Sequence, residues 1–282
     1  MQSPLSNMSN LGQRVIAGVI GACLMVGGIY FSQWSYFVLF LLIMSLAQRE
    51  FYTLVVGDGH KPLTNMGLAI GVLIYITTFA QQQQWVSADI WVLLLPLLGL
   101  VFLTKLYFIE DKPFTNIAYT FLGIIYVALP FSAMHVVAFS PTQSYSYQAV
   151  LGTLILLWSS DSGAYFAGSK FGKTRLFERI SPKKSWEGFA GGMALALLSA
   201  YIISFFYNDL PLWQWLVIAV IMVCIGTYGD LVESMLKRSI AIKDSGSVIP
   251  GHGGFLDRFD GLLIAAPVVS AFLTILRNIA TF

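Results

Sequence analysis

Two carboxylate pairs with the same spacing stand towards the C-terminal end of the chain. Asp230 and Glu233 lie in GTYGDLVESMLKRS, and Asp257 and Asp260 in PGHGGFLDRFDG. Residues three apart share a helix face, and Lys237, four beyond Glu233, falls on that face too. Carboxylates at membrane depth are costly unless they bind something. Oxygen ligands of this kind suit Mg²⁺, which takes one or two carboxylates and completes its shell with substrate phosphates. The number of cations stays open. Lys237, Arg238, Lys243 and Arg258 surround the pairs. Gly253 and Gly254 follow His252, and glycines there let backbone N–H groups approach an anion. Carboxylates, a divalent cation, basic residues and a glycine turn together make an apparatus for phosphoryl transfer. Competing readings remain: a helix-end ion pair from Glu233 to Lys237, and a glycine turn with Asp257 as an N-cap.

Two further stretches belong with these. In ISPKKSWEG, Lys183 and Lys184 suit a phosphate-rich ligand, and Ser185 reads as the N-cap of the next helix. In WSSDSGAYFAGSKFG, Asp161 is an ionisable residue inside an apolar segment and so a functional candidate, or else a buried hydrogen-bonder to the serines around it. His60 and His135 lack ligand partners at useful spacing. Cys23 and Cys224 fall in apolar runs without a metal or disulfide pattern. No Walker A loop, dinucleotide fingerprint, HExxH or nucleophile elbow occurs.

The elements that must position these groups are apolar helices. Of the 282 residues 57% are apolar or aromatic and 11% are charged. The mean hydropathy is +0.74. Nine apolar segments recur, at roughly 14–32, 34–56, 65–81, 89–108, 115–139, 148–168, 187–207, 212–236 and 259–280, each of about the length that crosses a bilayer. An all-α polytopic membrane protein of about nine transmembrane helices is expected, because lipid leaves open backbone groups unsatisfied. With the N-terminus cytoplasmic and the C-terminus outside, every lysine and arginine but Arg277 falls on the cytoplasmic side, the bias the positive-inside rule predicts. The first run, after Arg14, reads as an uncleaved span. The net charge of +2 is too small to suggest nucleic acid. Residues 1–145 read as a scaffold of five helices, and 146–282 as the catalytic region of four helices with their cytoplasmic loops.

The stretch from Ser234 to Gly261, SMLKRSIAIKDSGSVIPGHGGFLDRFDG, resembles the signature of the phosphatidate cytidylyltransferases, also called CDP-diacylglycerol synthases. The matching positions are Ser234, Lys237, Arg238, Lys243, Asp244, Pro250, His252, Gly253, Gly254, Asp257, Arg258 and Asp260. GDLVES and SPKKSWEG also resemble the family, with Ser185 where many members have Thr. The resemblance covers roughly residues 155–265; the first five segments match only in being hydrophobic.

It implies that CTP and phosphatidic acid react to CDP-diacylglycerol and pyrophosphate, with Mg²⁺ required, in a membrane enzyme that is often a homodimer. On that reading Asp230 and Asp257 hold the metal, with Glu233 and Asp260 as further or supporting ligands. Lys237, Lys243 and Arg258 neutralise phosphates, Lys183 and Lys184 grip CTP, and His252 positions a phosphate. Arg238, Asp244, Ser185, Gly253, Gly254 and Asp161 complete the substrate site. The short loops favour a bacterial plasma membrane. A transporter remains the rival from another class, since ionisable groups in broken helices also serve transport. A CTP-dependent lipid kinase is the rival within lipid chemistry.

Overall fold

A computed structural model describes residues 10–140, 144–242, 245–246 and 253–280, with side chains described from 18 to 279. Among the described residues there is one helix for each apolar segment. They are α1 (Asn10–Phe31), α2 (Gln33–Gly57), α3 (Thr64–Gln82), α4 (Ile90–Lys105), α5 (Pro113–Phe139), α6 (Tyr147–Phe171), α7 (Trp186–Ile203), α8 (Leu212–Ser239) and α9 (Leu256–Ala280). Six of them, α2, α3, α5, α7, α8 and α9, are long and apolar enough to cross a membrane. The chain is a polytopic membrane protein. Helix α6 is as long, but Ser159, Ser160, Asp161 and Ser162 make its middle polar.

The sequence marks the helix starts. Ser32 and Ser35 form a reciprocal capping box at α2. Ser146 Oγ accepts the Ala149 N–H at the start of α6. Pro113 opens α5, where its missing N–H costs nothing. Within α5 one π-helical turn, Ile124–Ala128, precedes Pro130, whose ring cannot complete a regular ladder.

One element departs from the all-helical expectation. Between α6 and α7 the chain forms an antiparallel hairpin, β1 (Arg175–Phe177) with β2 (Ser181–Ser185), pairing Arg175 with Ser185 and Phe177 with Ser181. Its strands have no apolar alternation to announce them; the hairpin is set by what it packs against.

Lipid is as apolar as a leucine side chain, so helices in a membrane associate by close packing. Trp215 of α8 is fully buried, with its ring filling the space a Cβ at Gly152 of α6 would need. Helices α6 and α7 cross closely because Gly163 faces the carbonyl of Gly191. His135, which the sequence left without partners, is fully buried among Tyr36, Tyr75 and Phe79.

Contacts between helix ends bring the basic segments to one side of the molecule. Lys105 Nζ donates to the Lys61 carbonyl at 2.7 Å, and Glu50 of α2 meets the start of α9. Lys184 of β2 meets Asp230 of α8. Contacts of the intervening ends hold the opposite side, where Tyr145 Oη donates to the Ile29 carbonyl and Gln83 to Gln33.

Candidate active site

The hairpin delivers the first cations. Ser185 ends β2 and caps α7, its Oγ accepting the Gly188 N–H at 3.1 Å, as expected from the sequence. Glu187, one residue into α7, accepts the backbone N–H groups of Lys173 and Thr174, each at 3.1 Å. Both ends of the hairpin are thereby tied to α7, and β2 carries Lys183 and Lys184 to the wall of a cavity. Lys184 Nζ lies 2.6 Å from Asp230 Oδ2 and 3.3 Å from the Thr227 carbonyl of α8.

Helices α8 and α9 bring the acids. A Cβ on Gly229 would stand 2.7 Å from the Asp260 carbonyl and 3.1 Å from the Gly261 Cα. Only glycine permits that backbone approach, and it places Asp230 beside Asp260. Ser234 Oγ donates to Asp230 Oδ1 at 3.2 Å, one turn along α8. Asp260 Oδ1 takes the Gly261 N–H at 2.7 Å. Asp161 of α6 completes the group.

These three carboxylates, with Lys183 and Lys184, line a cavity of about 370 Å³ bounded by α6, the hairpin, α7, α8 and α9. Asp230 and Asp161 both act electrostatically on Asp260. Acid thus outnumbers base on the cavity wall, and like charges in a low-dielectric site repel strongly. That donor set fits a divalent cation. Among the described residues no three His, Cys, Asp or Glu side chains converge as a ready-made metal cage.

A second charged cluster adjoins the first. Lys237 Nζ bridges Glu233 Oε1 at 3.0 Å and Asp257 Oδ1 at 2.6 Å. Glu233 is fully buried, and its Oε2 accepts no hydrogen bond among the described residues. Asp257 Oδ2 accepts the N–H groups of Ser245 and Gly254, each at 3.0 Å. Asp257 therefore uses both oxygens to hold Lys237 and the glycine turn. It stands one residue inside α9 rather than ahead of it, so the alternative reading of Asp257 as the helix N-cap is corrected. Gly253 adopts φ +80°, the left-handed region that favours glycine.

The cap of α9 comes instead from the N-terminal half. Glu50 Oε2 accepts the Leu256 N–H, and Glu50 Oε1 accepts Ser245 Oγ, both at 3.0 Å. Sequence reasoning passed over Glu50. The signal was present, since it is an ionisable residue in the second apolar segment and the rule that singled out Asp161 applies equally to it.

A second cavity, about 540 Å³, opens between α1, α2 and the start of α9. Its wall is mostly apolar, including Leu24, Leu39, Leu42 and Leu46. Its polar end holds Asp257, Arg258, Asp260 and Asp161. The two cavities share Asp161 and Asp260.

The structure therefore brings Asp161, Lys183, Lys184, Asp230 and Asp260 to one cavity. It sets Glu233, Lys237 and Asp257 beside them and places Arg258 at the head of the second cavity. Arg238 turns to the Ile242 carbonyl at 3.3 Å, closing its own helix end. Lys243, Asp244 and His252 lie outside the described residues.

A model of the cytidylyltransferase family matches residues 12–276. A protein of Bacillus subtilis (strain 168) named phosphatidate cytidylyltransferase is 30% identical over 272 residues, covering 95% of this chain and 99% of that protein. One of the same name from Staphylococcus saprophyticus is 31% identical over 256 residues, covering 89% and 92%. One from Haemophilus influenzae is 47% identical over 128 residues, 44% of each chain.

Proposed function

The chain belongs to the cytidylyltransferase family, and from that premise we propose that it transfers CMP from CTP to phosphatidic acid, yielding CDP-diacylglycerol and pyrophosphate. The observation that carries this reading is the meeting of a cavity walled by three carboxylates and two lysines with a more apolar one at Asp161 and Asp260. A nucleotide needs the first and a lipid the second, and they touch where the charges gather. The same reading has nine spans, the N-terminus and the site facing the cytoplasm, and the enzyme in a bacterial plasma membrane. The clustering of Lys and Arg at contacting helix ends supports that orientation.

In the reaction a phosphate oxygen of the lipid attacks the α-phosphorus of CTP. A new P–O bond forms, and the bond to the bridging oxygen breaks with its electron pair leaving on pyrophosphate. The lipid phosphate is already ionised at neutral pH, so the chain needs no strong general base. It must bring two anions together, and electrostatic stabilisation dominates such a step. Lys183 and Lys184 receive the triphosphate on the hairpin side. Arg258 receives the lipid phosphate at the head of the apolar cavity. Asp230 and Asp260, with Asp161 in the same cavity, are the residues that would hold Mg²⁺. The expected Asp230–Asp257 pair stands beside this assignment: Asp257 engages Lys237 and the turn here, as Asp230 engages Lys184 and Ser234. Bound there, Mg²⁺ supplies positive charge to the phosphate oxygens.

The position of a label decides the reaction class. With CTP labelled at the α-phosphate, the lipid product carries the label; with CTP labelled at the γ-phosphate, it does not. The reverse pattern would make the protein a lipid kinase. Label in no lipid product, from folded protein that moves lipid or ion across a vesicle, would make it a transporter.

A further inference from the structure

Glu50 is buried in α2, in the half of the chain that supplies none of the phosphate-facing groups, yet its carboxylate is wholly engaged by the catalytic half. Its two oxygens take Ser245 Oγ and the Leu256 N–H. Ser245 in turn gives its backbone N–H to Asp257 Oδ2, and Asp257 Oδ1 holds Lys237. The niche is shaped for this one side chain: a Cβ at Gly246 or Gly254 would overlap Glu50 Oε1. A carboxylate at a helix start is favoured by the helix dipole. Leu39, Leu42, Ile43 and Leu46, on the same helix α2, line the apolar cavity.

We propose that Glu50 is a positioning residue for nucleotidyl transfer: it fixes Ser245 and the first turn of α9, and through them holds Asp257 and Lys237 in the geometry that turnover requires. Glu50 touches no substrate and acts only through the turn. The helix that borders the lipid is then the helix that sets the catalytic turn. This deepens the function proposed above and rests on it.

The test compares wild type, Glu50→Gln, Glu50→Asp, Ser245→Ala and the Glu50→Gln/Ser245→Ala double variant in detergent micelles. Glutamine keeps the shape but replaces one acceptor with a donor facing a donor. Its kcat is expected to fall about 10- to 100-fold, the scale of a small misplacement of reacting groups. KM for CTP and for phosphatidic acid should stay within about twofold, and the melting temperature should be unchanged. Glu50→Asp reaches one donor and recovers part of the rate. The double variant is no slower than Glu50→Gln alone, because the two residues act in one chain.

Amide exchange gives a readout independent of catalysis: residues 253–257 exchange faster in folded Glu50→Gln, and the rest of α9 does not. If wild type makes no nucleotidyl lipid, the functional reading has failed while exchange still decides the role of Glu50. Wild-type kcat in Glu50→Gln, a rate loss matching the loss of folded protein, independent effects in the double variant, or unchanged exchange would each overturn the proposal. Should Glu50→Gln fail to fold, Ser245→Ala alone decides. A severalfold drop in kcat at unchanged melting temperature supports the proposal, and a wild-type kcat overturns it.

Discussion

Lys184, in the second strand of the hairpin, pairs with Asp230 of α8 at 2.6 Å on the wall of the smaller cavity. On the proposed function the lysine binds a phosphate of CTP and the aspartate its cation. Removing Lys184 leaves Asp230 without its cation and the triphosphate without a contact. Lys184→Met is expected to raise KM for CTP about tenfold or more, the cost of losing a charge-assisted contact, while KM for the lipid stays near wild type. Steady-state kinetics with each substrate varied in turn checks this.

Asp260 lies on the wall of both cavities. Asp260→Asn keeps its size and its bond to the Gly261 N–H but removes a charge from the carboxylate group proposed to hold Mg²⁺. Turnover should fall about 100-fold or more, comparable to the loss of one preorganised electrostatic partner. The concentration of Mg²⁺ needed for half-maximal rate should rise. A magnesium titration of the variant, with melting temperature as the control for folding, reads both.

Gly21 of α1 lines the apolar cavity, and a Cβ added there meets nothing within 4 Å. Gly21→Leu adds apolar volume to the cavity from a position whose Cβ meets nothing. KM for phosphatidic acid should rise severalfold and CTP binding should be unaffected. A short-chain lipid should suffer less than a long-chain one, and a series of acyl lengths checks that ordering.

Gly229 lets α8 and α9 approach until Asp230 and Asp260 share a cavity. Alanine would force the backbones apart, since its methyl group would stand 2.7 Å from the Asp260 carbonyl. Overpacking of this kind costs about 1–3 kcal/mol, so Gly229→Ala should melt lower than wild type. Activity should fall more than stability, because the displaced groups are the acids themselves. Melting and rate measured on one preparation separate the two effects.

Much of this was legible in the sequence because membrane insertion writes itself into composition. Each apolar segment became a helix, and Ser185 capped α7 as its position before WEG suggested. The acidic pairs were visible by spacing, but spacing fixes only a shared face. It could not show which acid meets which across the crossing of α8 and α9. Asp230 goes with Asp260 and Lys184, while Glu233 goes with Asp257 and Lys237. The hairpin had no strand pattern to read, because its order comes from Glu187 and the α7 cap rather than from alternation. Glu50 was legible as an ionisable residue in an apolar segment, but its partners were not, because Ser245 and Leu256 are about 200 residues away in sequence and no local pattern links them.

On the proposed function a nucleotide and a membrane lipid react where the two cavities meet, with a divalent cation at Asp230 and Asp260. The most direct measurement is pyrophosphate release by purified protein in mixed micelles, with CTP, with and without phosphatidic acid, and with and without EDTA. Release is expected only when lipid and free Mg²⁺ are both present, in equal amount to the CDP-diacylglycerol formed. Release that ignores the lipid, or that persists in excess EDTA, would contradict the account, as would none at all from folded protein that binds CTP.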